Sequence, residues 1–536
     1  MEGQVMFRSV KVLCLVLILV ICCGAMLRIR GSFSKPGFDF HHPEGMLMSD
    51  PALLFYVTER IVDNHGLPPA DFRVDTRVEH PVPDDLPAMF TVGQEFYLAW
   101  GYLLFGKKLG LPLHVYIVIA MSFFAALAAI GVCGLARELT GNNAWAIFAC
   151  LAYAVTLANY RTLGFILVRE DFSLPLFSLH LWLVVRAARV RTPAAFALAS
   201  FSLLAAVATW HAMVFICAIE MAVIFAWYLR TGENLLAARG GYLMPLILAA
   251  GSFAVPVLLA KWFVLSLPMQ ILMVLAIMAL IERRRPMEPW MRVVAAPGFQ
   301  LAFCAVFFMV YPKDYSHVFE FIFSKLTNFG IMPQFPDKLG FGARLLWQGP
   351  FETASFGYIL SNFGVMSLYL AAVLFFAWRG WTGGRGDGRL HAVAVFALVF
   401  VPAAFFVKRL VAVEGLVAPA VAAVILSRLR LPAALMAVSI PHKVHTIWYP
   451  QEHRLDLKQF IRWTNKNLDD NGAIAADFMN SPAILAHTGH PVALQPKYET
   501  RASRERIRRF LYAFYHGTPW DLHKLMQEWD CRYLLV

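Results

Sequence analysis

Residues 12–27 have the sequence VLCLVLILVICCGAML, an apolar run without a charged side chain. A membrane core requires about 20 apolar residues in each helical crossing, because every backbone N–H and C=O group must be satisfied within the segment. The whole chain has this character, since 59% of its 536 residues are hydrophobic and only 15% are charged. This composition excludes a soluble globular protein and predicts a polytopic α-helical membrane protein.

Similar runs recur through the first 440 residues and predict about 13 spans, several of them short. The predicted spans lie near residues 12–27, 112–135, 143–158, 171–187, 193–209, 212–229, 242–260, 262–281, 299–311, 355–378, 390–406, 410–427 and 431–441. The first is expected to remain as an anchor, because Arg28 and Arg30 follow it without a small-residue cleavage site.

The distribution of basic residues predicts the orientation, since cytoplasmic loops contain an excess of Lys and Arg. Basic clusters fall in alternate loops between the predicted spans. This pattern places the N-terminus in the cytoplasm and the loops 30–95 and 312–354 on the opposite side, together with the tail. The net charge of +12 follows from this topology, so no nucleic-acid partner is expected. We expect a multi-pass protein of the lipid bilayer, in a bacterial inner membrane or the endoplasmic reticulum.

The chain is predicted to divide into a transmembrane domain, residues 1–441, and a small external α/β domain, residues 442–536. In the tail, LDLKQFIRWTNKNL has helical periodicity, GAIAA and PVAL resemble strands, and SPAILAHTG begins a short helix with Ser481 as its cap. CRYLLV is expected to close the domain as a strand. Among the eight cysteines, only Cys531 lies outside the apolar spans, which argues against a disulfide or zinc framework.

The segment GMLMSDPALLFYVTERI, residues 45–61, follows the first span. It places Asp50 directly before an apolar helix, residues 52–62, which we expect to lie along the membrane interface. A carboxylate at this depth suits an enzyme that takes a soluble acceptor from one side and a lipid-linked donor from the other. The alternative is that Asp50 is an ordinary helix cap.

Two further charged groups are predicted to lie on the same side. Arg169, Glu170 and Asp171 begin a span, where acidic residues also suit a helix N-terminus. Lys408 and Arg409 stand at the external end of a late span, against the general trend of basic residues. Either a local anion or snorkelling to lipid head groups explains this position.

Other polar residues fall within or near the spans. Glu220 and Glu414 are costly intramembrane acids and therefore functional candidates, unless they pair with each other or with Arg409. Trp210 and His211 are interpreted as interface anchors. A lipid transporter would instead need ionisable groups at mid-membrane depth and repeat-related halves, and no repeat is visible. A non-catalytic scaffold is a further alternative.

This order of features resembles the GT-C glycosyltransferases, and the tail is most similar to that of the tryptophan C-mannosyltransferases. The similar places in the tail are Ala476 to Asn480, His490-Pro491, Gln495 to Glu499, Arg501 to Arg509 and Tyr533. Upstream, LVREDFSLPLF resembles the family's Leu-Arg-Glu-Ser-Phe-Ser-Tyr-Pro segment, and SDPALLFYVTERIV resembles its first-loop helix. The chain departs from the family in having Asp50 in place of Glu, His490 in place of Arg, and the segment QPKYE.

The resemblance implies an enzyme that moves a sugar, mannose in that family, from a polyprenyl-phosphate donor to a protein or other acceptor on the non-cytoplasmic side. It assigns catalysis to Asp50, and binding of the donor phosphate to Arg409, Arg169 and Lys408. The remaining site residues are Glu170 and Asp171, as site-lining or possible metal ligands, and His490, Lys497 and Glu499 on the acceptor side.

The related catalytic subunits of oligosaccharyltransferase carry a Trp-Trp-Asp motif that reads the acceptor sequon. The corresponding stretch here is AADFMN, which argues against asparagine N-glycosylation. That family also uses a divalent cation, Mg or Mn, which Asp50, Glu170 and Asp171 would hold in an enzyme of that kind. No cofactor is expected in an enzyme of the C-mannosyltransferase kind.

Overall fold

The computed structural model of the chain describes residues 10–35, 38–163, 167–310, 316–363, 388–429, 455–468 and 470–536. The helices up to the tail are α1 Val10–Phe33, α2 Ser49–Asp63, α3 Leu86–Met89, α4 Gly93–Gly101, α5 Leu113–Ala126, α6 Ala128–Thr140, α7 Asn143–Val155, α8 Glu170–Val190, α9 Pro193–Thr209, α10 Met213–Thr231, α11 Leu243–Ala254, α12 Pro256–Ala260, α13 Leu267–Arg284, α14 Pro289–Val310, α15 Ser316–Thr327, α16 Phe341–Leu346, α17 Phe356–Phe363, α18 Gly388–Phe406 and α19 Val411–Leu429.

Seven helical segments within the described residues are long and apolar enough to cross a membrane. They are Val10–Phe33, Leu113–Thr140, Glu170–Val190, Met213–Thr231, Pro289–Phe307, Gly388–Phe406 and Lys408–Arg428, and three shorter apolar helices are α7, α9 and α11. The chain is therefore a multi-pass helical protein. The count of about 13 spans stays a prediction, because the predicted span 431–441 and part of 355–378 lie outside the described residues.

Two of the predicted spans are broken helices. The span expected at residues 112–135 consists of α5 and α6, which meet at Leu127. The span expected at 242–260 is interrupted at Val255, which has an extended conformation before Pro256. A proline ring disfavours the helical conformation of the preceding residue, so α12 begins as a separate helix.

Close helix packing fixes the centre of the bundle. Helix α8 packs against α6 and α9, and α19 packs against α6 and α7. At Gly131 on α6, a Cβ atom would lie 2.2 Å from the backbone of Ser178 on α8, so these helices touch backbone to backbone. Helix α8 starts with Glu170, and α19 begins two residues after Arg409. This packing brings the two helix ends together.

The first external loop folds as helix α2 and a two-stranded antiparallel hairpin, β1 Asp75–Glu79 and β2 Val82–Asp84. That the helix near residues 52–62 lies along the membrane interface stays a prediction. Helix α2 is buried along most of its length and packs against α4 and a helix of the tail.

The tail forms an α/β unit. Its elements are α20 Leu455–Asn467, β3 Ala473–Ala475, α21 Ser481–Thr488, α22 Arg501–Tyr515, α23 Pro519–Glu528 and β4 Cys531–Leu534. Strand β3 pairs in parallel with β4, and Val492 forms a single parallel bridge to Ile474 in place of the predicted second strand. The predicted boundary at residue 442 lies outside the described residues.

Two details of the tail differ from expectation or extend it. Ser481 does not cap α21, because its hydroxyl donates to the carbonyls of Ala476 and Asp477 instead of accepting a backbone N–H. Val492 also joins the first external loop, since its N–H donates to Arg77 O at 2.8 Å and its carbonyl accepts from His80 N at 2.9 Å. The tail is thus attached to the hairpin by main-chain hydrogen bonds.

Candidate active site

A cavity of about 450 Å³ lies where α2, α10, α15, the segment between α18 and α19, and the tail meet. Its wall is mostly apolar and includes Phe215, Ile219, Phe321 and Phe406. The polar side chains that line it are Asp50, Arg169, His211, His317, Lys325, Arg409, Lys497, Tyr498 and Glu499. The geometry thus brings together five of the residues predicted from the sequence: Asp50, Arg169, Arg409, Lys497 and Glu499.

Asp50 lies in the first turn of α2, and its carboxylate forms an ion pair with Lys497 of the tail. It is not the cap of this helix, because the N-cap position is Met48 and no side chain accepts a hydrogen bond there. The side chain of Asp50 is 37% exposed, whereas that of Lys497 is 13% exposed. Burial lowers the pKa of Lys497, and the pairing with Asp50 opposes this effect. A carboxylate open to the cavity is therefore held by an ammonium group from the tail.

Arg409 is oriented from behind by Glu170. Its Nε donates to Glu170 Oε1 at 2.7 Å, and the same carboxylate accepts from Arg161. The guanidinium lies over the rings of Trp210 and Phe351, 4.9 and 5.3 Å from their centroids. Among the described residues, no acceptor is hydrogen-bonded to its two Nη groups, so these donors can bind an anionic ligand in the cavity.

Two further ion pairs position the polar wall. Arg169 Nη2 lies 3.2 Å from Oε1 of Glu95, a fully buried carboxylate on α4. On the tail, Glu499 Oε2 lies 3.7 Å from Lys261 Nζ. Burial alone opposes ionisation of Glu499, but nearby cations outweigh it and hold its pKa below the ordinary value. Glu499 is therefore a carboxylate at neutral pH.

Four predicted site residues do not line this cavity, and Glu170, which holds Arg409 from behind, is one of them. Asp171 bonds Thr162 and lies 3.4 Å from Arg28 Nη1, at a separate cavity of about 20 Å³. Lys408 donates to Glu352 at 2.5 Å, and His490 is buried in the tail with Nδ1 2.8 Å from Gly472 O. These positions do not support a phosphate-binding role for Lys408 or an acceptor-side role for His490. Both side chains are occupied by local partners.

The carboxylates proposed as metal ligands do not fit a divalent cation in this arrangement. Asp50 holds Lys497, Glu170 holds Arg161 and Arg409, and Asp171 holds Arg28, as described above. Within the described ranges, no three His, Cys, Asp or Glu side chains are grouped as metal ligands. A metal ion would have to displace a buried cation of the protein at each carboxylate.

Sequence reasoning missed several lining residues. Trp210 and His211, interpreted as interface anchors, belong to the cavity, where burial lowers the pKa of His211. Lys325 and His317 lie on α15 and carry no sequence signal that separates them from ordinary loop residues. Their place in the cavity wall follows from the packing of α15, which the sequence alone does not show.

The two intramembrane acids have different surroundings. Glu220 Oε1 lies 2.9 Å from His180 Nε2, so the expected pairing is with a histidine and not with Glu414 or Arg409. Glu414 is buried on α19, and neither of its oxygens is hydrogen-bonded to a described residue. Neither acid lines the cavity.

Comparison with solved structures shows which known fold this arrangement matches. The chain is similar to the oligosaccharyltransferase of Archaeoglobus fulgidus in complex with an inhibitory peptide and a dolichol-phosphate, with a TM-score of 0.63, 14% identity, and coverage of 97% of this chain and 69% of that chain. The same enzyme tethered to an acceptor peptide with an NVT sequon gives a TM-score of 0.68 at 14% identity, covering 97% and 68% of the two chains. Its complex with Zn and sulfate gives 0.65 at 14% identity, covering 96% and 67%.

The chain has a GT-C fold. No protein-family model matches its sequence, and no curated protein is a match. At 14% identity, the likeness within the GT-C fold concerns architecture alone. The closer similarity to the tryptophan C-mannosyltransferases therefore stays a prediction from the sequence.

Proposed function

We propose that the chain is a membrane glycosyltransferase that moves a sugar, which we assign as mannose, from a polyprenyl-phosphate donor to a protein or other acceptor on the non-cytoplasmic side. One observation carries this proposal: an apolar cavity in which a guanidinium, Arg409, and an open carboxylate, Asp50, face the same space. The apolar wall suits a polyprenyl chain, the guanidinium suits a phosphate, and the carboxylate suits an acceptor nucleophile.

The proposed reaction follows from these positions. The acceptor atom attacks the anomeric carbon, and the bond from this carbon to the phosphate oxygen breaks with its electron pair on the oxygen. Asp50 takes the proton of the acceptor, and Arg409 and Arg169 offset the charge of the departing polyprenyl phosphate. Lys497 holds the Asp50 carboxylate in place, and Glu499 lies beside it on the acceptor side.

The C-mannosyltransferase assignment rests on the tail, where Lys497 and Glu499 lie in the segment that resembles the family. The arrangement of Asp50, Glu170 and Asp171, each paired with a protein cation, also favours a reaction without a metal. The roles of these site residues and the identity of the sugar are likewise proposed.

An oligosaccharyltransferase-like activity is the second candidate, because the fold matches a protein whose structures contain a dolichol-phosphate and an acceptor peptide. A polyprenyl-lipid transporter is less well supported, since the polar residues of the cavity collect around Asp50 and the tail.

Transfer assays with purified protein distinguish these candidates. Polyprenyl-phosphate [³H]mannose would be incubated with a peptide that contains Trp and no sequon, or with a peptide that contains Asn-Val-Thr and no Trp. We expect label on the Trp peptide with no effect of EDTA. In a parallel assay with a lipid-linked glycan as donor, EDTA-sensitive transfer to the sequon peptide would support the second candidate. Movement of the lipid across vesicles without transfer to any acceptor would contradict both enzyme assignments.

A further inference from the structure

Lys325 is a buried cation in the wall of the cavity. It lies on α15, and only 2% of the residue is exposed. Its ammonium group lies 5.2 Å from the ring centroid of Phe321 and 4.8 Å from that of Trp347. Burial of a charge is costly unless an opposite charge or strong hydrogen bonds compensate it.

The partners of Lys325 are neutral. Its Nζ donates to Thr353 Oγ1 at 3.0 Å and to the carbonyl of Phe406 at 2.5 Å. Among the described residues it forms no ion pair, and the nearby Glu352 is paired with Lys408. Burial lowers the pKa of Lys325 to about 8, so the side chain is still a cation at neutral pH. Lys325 is therefore a buried cation with two neutral hydrogen-bond acceptors and no carboxylate partner among the described residues.

The charges around the cavity do not cancel within the described residues. Most cations have a carboxylate of their own: Arg169 pairs with Glu95, Lys497 with Asp50, and Lys261 with Glu499. Arg161 and Arg409 share the single carboxylate of Glu170, which leaves one positive charge. Lys325 supplies a second, so the site matches an anion with two negative charges.

Such an anion arises during the proposed reaction. A sugar joined to a polyprenyl phosphate is a phosphodiester with one negative charge. When the bond from the anomeric carbon to oxygen breaks, the electron pair remains on the phosphate, which departs as a monoester with a second pKa of about 6. At neutral pH the leaving group therefore carries close to two negative charges.

We propose that Lys325 is a second phosphate-binding residue, which binds the negative charge that the phosphate gains as the sugar leaves, while Arg409 binds the charge already present in the donor. This inference rests on the proposed function. The two cations are joined by one short segment, since Phe351 lies against the guanidinium of Arg409 and Thr353 accepts a hydrogen bond from Lys325. Both cations therefore lie next to residues 351–353, where we expect the phosphate to bind.

The expected consequence is selective binding of the product state. Interactions that are stronger with the developing charge than with the ground state accelerate the chemical step, whereas uniform binding does not. Lys325 is thus expected to contribute little to binding of a phosphodiester and much to binding of a phosphate monoester.

The test compares two probes that differ by one charge. Farnesyl phosphate is mostly a dianion at pH 7.5, and its methyl ester is a monoanion. Their Kd values would be measured on the purified full chain and on Lys325→Met, which keeps an apolar stem between Phe321 and Trp347. Lys325→Gln provides a second variant that can still donate a hydrogen bond. Lys338→Met is the matched control, because Lys338 also lies over a ring, that of Phe335, but outside the cavity.

We expect the parent chain and Lys338→Met to bind farnesyl phosphate about 10-fold or more tightly than its methyl ester. Both Lys325 variants should bring this ratio close to one, with the affinity for the methyl ester changed by no more than about 2-fold. An unchanged ratio, or an equal loss for both probes, would overturn the inference while leaving the proposed function standing. If neither probe binds the parent chain, the proposed function fails and the inference fails with it.

Discussion

Asp50 combines an exposed carboxylate oxygen with a buried ammonium partner, and this combination makes its role testable. We expect Asp50→Asn to lose about 10²-fold or more in transfer rate, because the amide cannot accept the proton of the acceptor. The double variant Asp50→Asn/Lys497→Met should regain the thermal stability lost with the ion pair but should remain inactive. Asp63→Asn, on the exposed end of the same helix, is the control. An Asp50→Asn enzyme that transfers sugar at close to the parental rate would disprove the catalytic role.

Arg409 and Lys408 are adjacent in sequence but have different surroundings. Arg409 lines the cavity, whereas Lys408 pairs with Glu352 and lies outside it. Loss of a charge-assisted hydrogen bond to phosphate costs about 10-fold or more, so Arg409→Ala should weaken donor binding by at least that factor. An exposed ion pair contributes about 0–1 kcal/mol, so Lys408→Ala should bind and turn over the donor almost normally. Equal losses in donor titrations of the two variants would contradict the assignment.

The sequence predicted those cavity-lining residues that stand out locally. Asp50 and Arg409 are charged residues beside apolar runs, and Lys497 and Glu499 lie in a segment that resembles a known family. In the sequence, Asp171 was indistinguishable from Glu170 as a site candidate. In the structure Asp171 pairs with Arg28 and Glu170 pairs with Arg409, because the packing of α8 points the two carboxylates in different directions. Lys325 was missed because a lysine in a predicted external loop has no sequence mark of burial.

Among the elements, the hairpin of the first loop carries an unusual buried carboxylate. Asp84 on β2 lies near Glu79 and Asp75, and its Oδ2 is hydrogen-bonded to no described residue. Burial raises the pKa of Asp84 to about 8, and these two carboxylates add to the effect. The hairpin is the element to which Val492 and Arg506 of the tail bind.

Because the pKa of Asp84 is raised in the folded state, the protein is expected to lose stability as the pH rises. Between the unfolded pKa of about 3.9 and the folded value, the native state binds more protons, so stability falls by up to about 1.4 kcal/mol per pH unit as pH rises. Asp84→Asn removes this loss, and its gain in Tm should therefore be near zero at pH 4 and grow up to pH 8. Asp85→Asn, which retains the capping bond to Ala88 N, should show no such trend. Thermal unfolding followed by tryptophan fluorescence would measure both, and parallel Tm curves for the Asp84→Asn variant and the parent would contradict the prediction.

For the whole molecule, the structure places residues of both external loops and the tail around one cavity, as the predicted topology requires. We expect all three segments on the non-cytoplasmic side. Single cysteines at Asp63, Lys338 and His523, in a background with the native cysteines replaced, should react with an impermeant maleimide added outside. A cysteine at Arg285 should react only after the membrane is opened. Protection of His523→Cys from the external reagent would refute the topology.

The class of fold was accessible from composition, but its details were not. Apolar length predicted α8, α9 and α18 to within a few residues, because a membrane-spanning helix leaves a long uniform run. The break at Leu127 and the burial of α2 were not predictable in this way. Both depend on contacts with distant elements, and α2 resembles an interfacial helix until the tail covers it.

The ion pair between Asp50 and Lys497 joins residues that are 447 positions apart. A ribosome therefore releases most of the bundle into the membrane long before the carboxylate meets its partner. Until synthesis has passed Lys497 and Val492 has bound the hairpin, the wall that the tail contributes to the cavity is missing. If the proposed function holds, we expect an unfinished chain to be inactive because its site is incomplete.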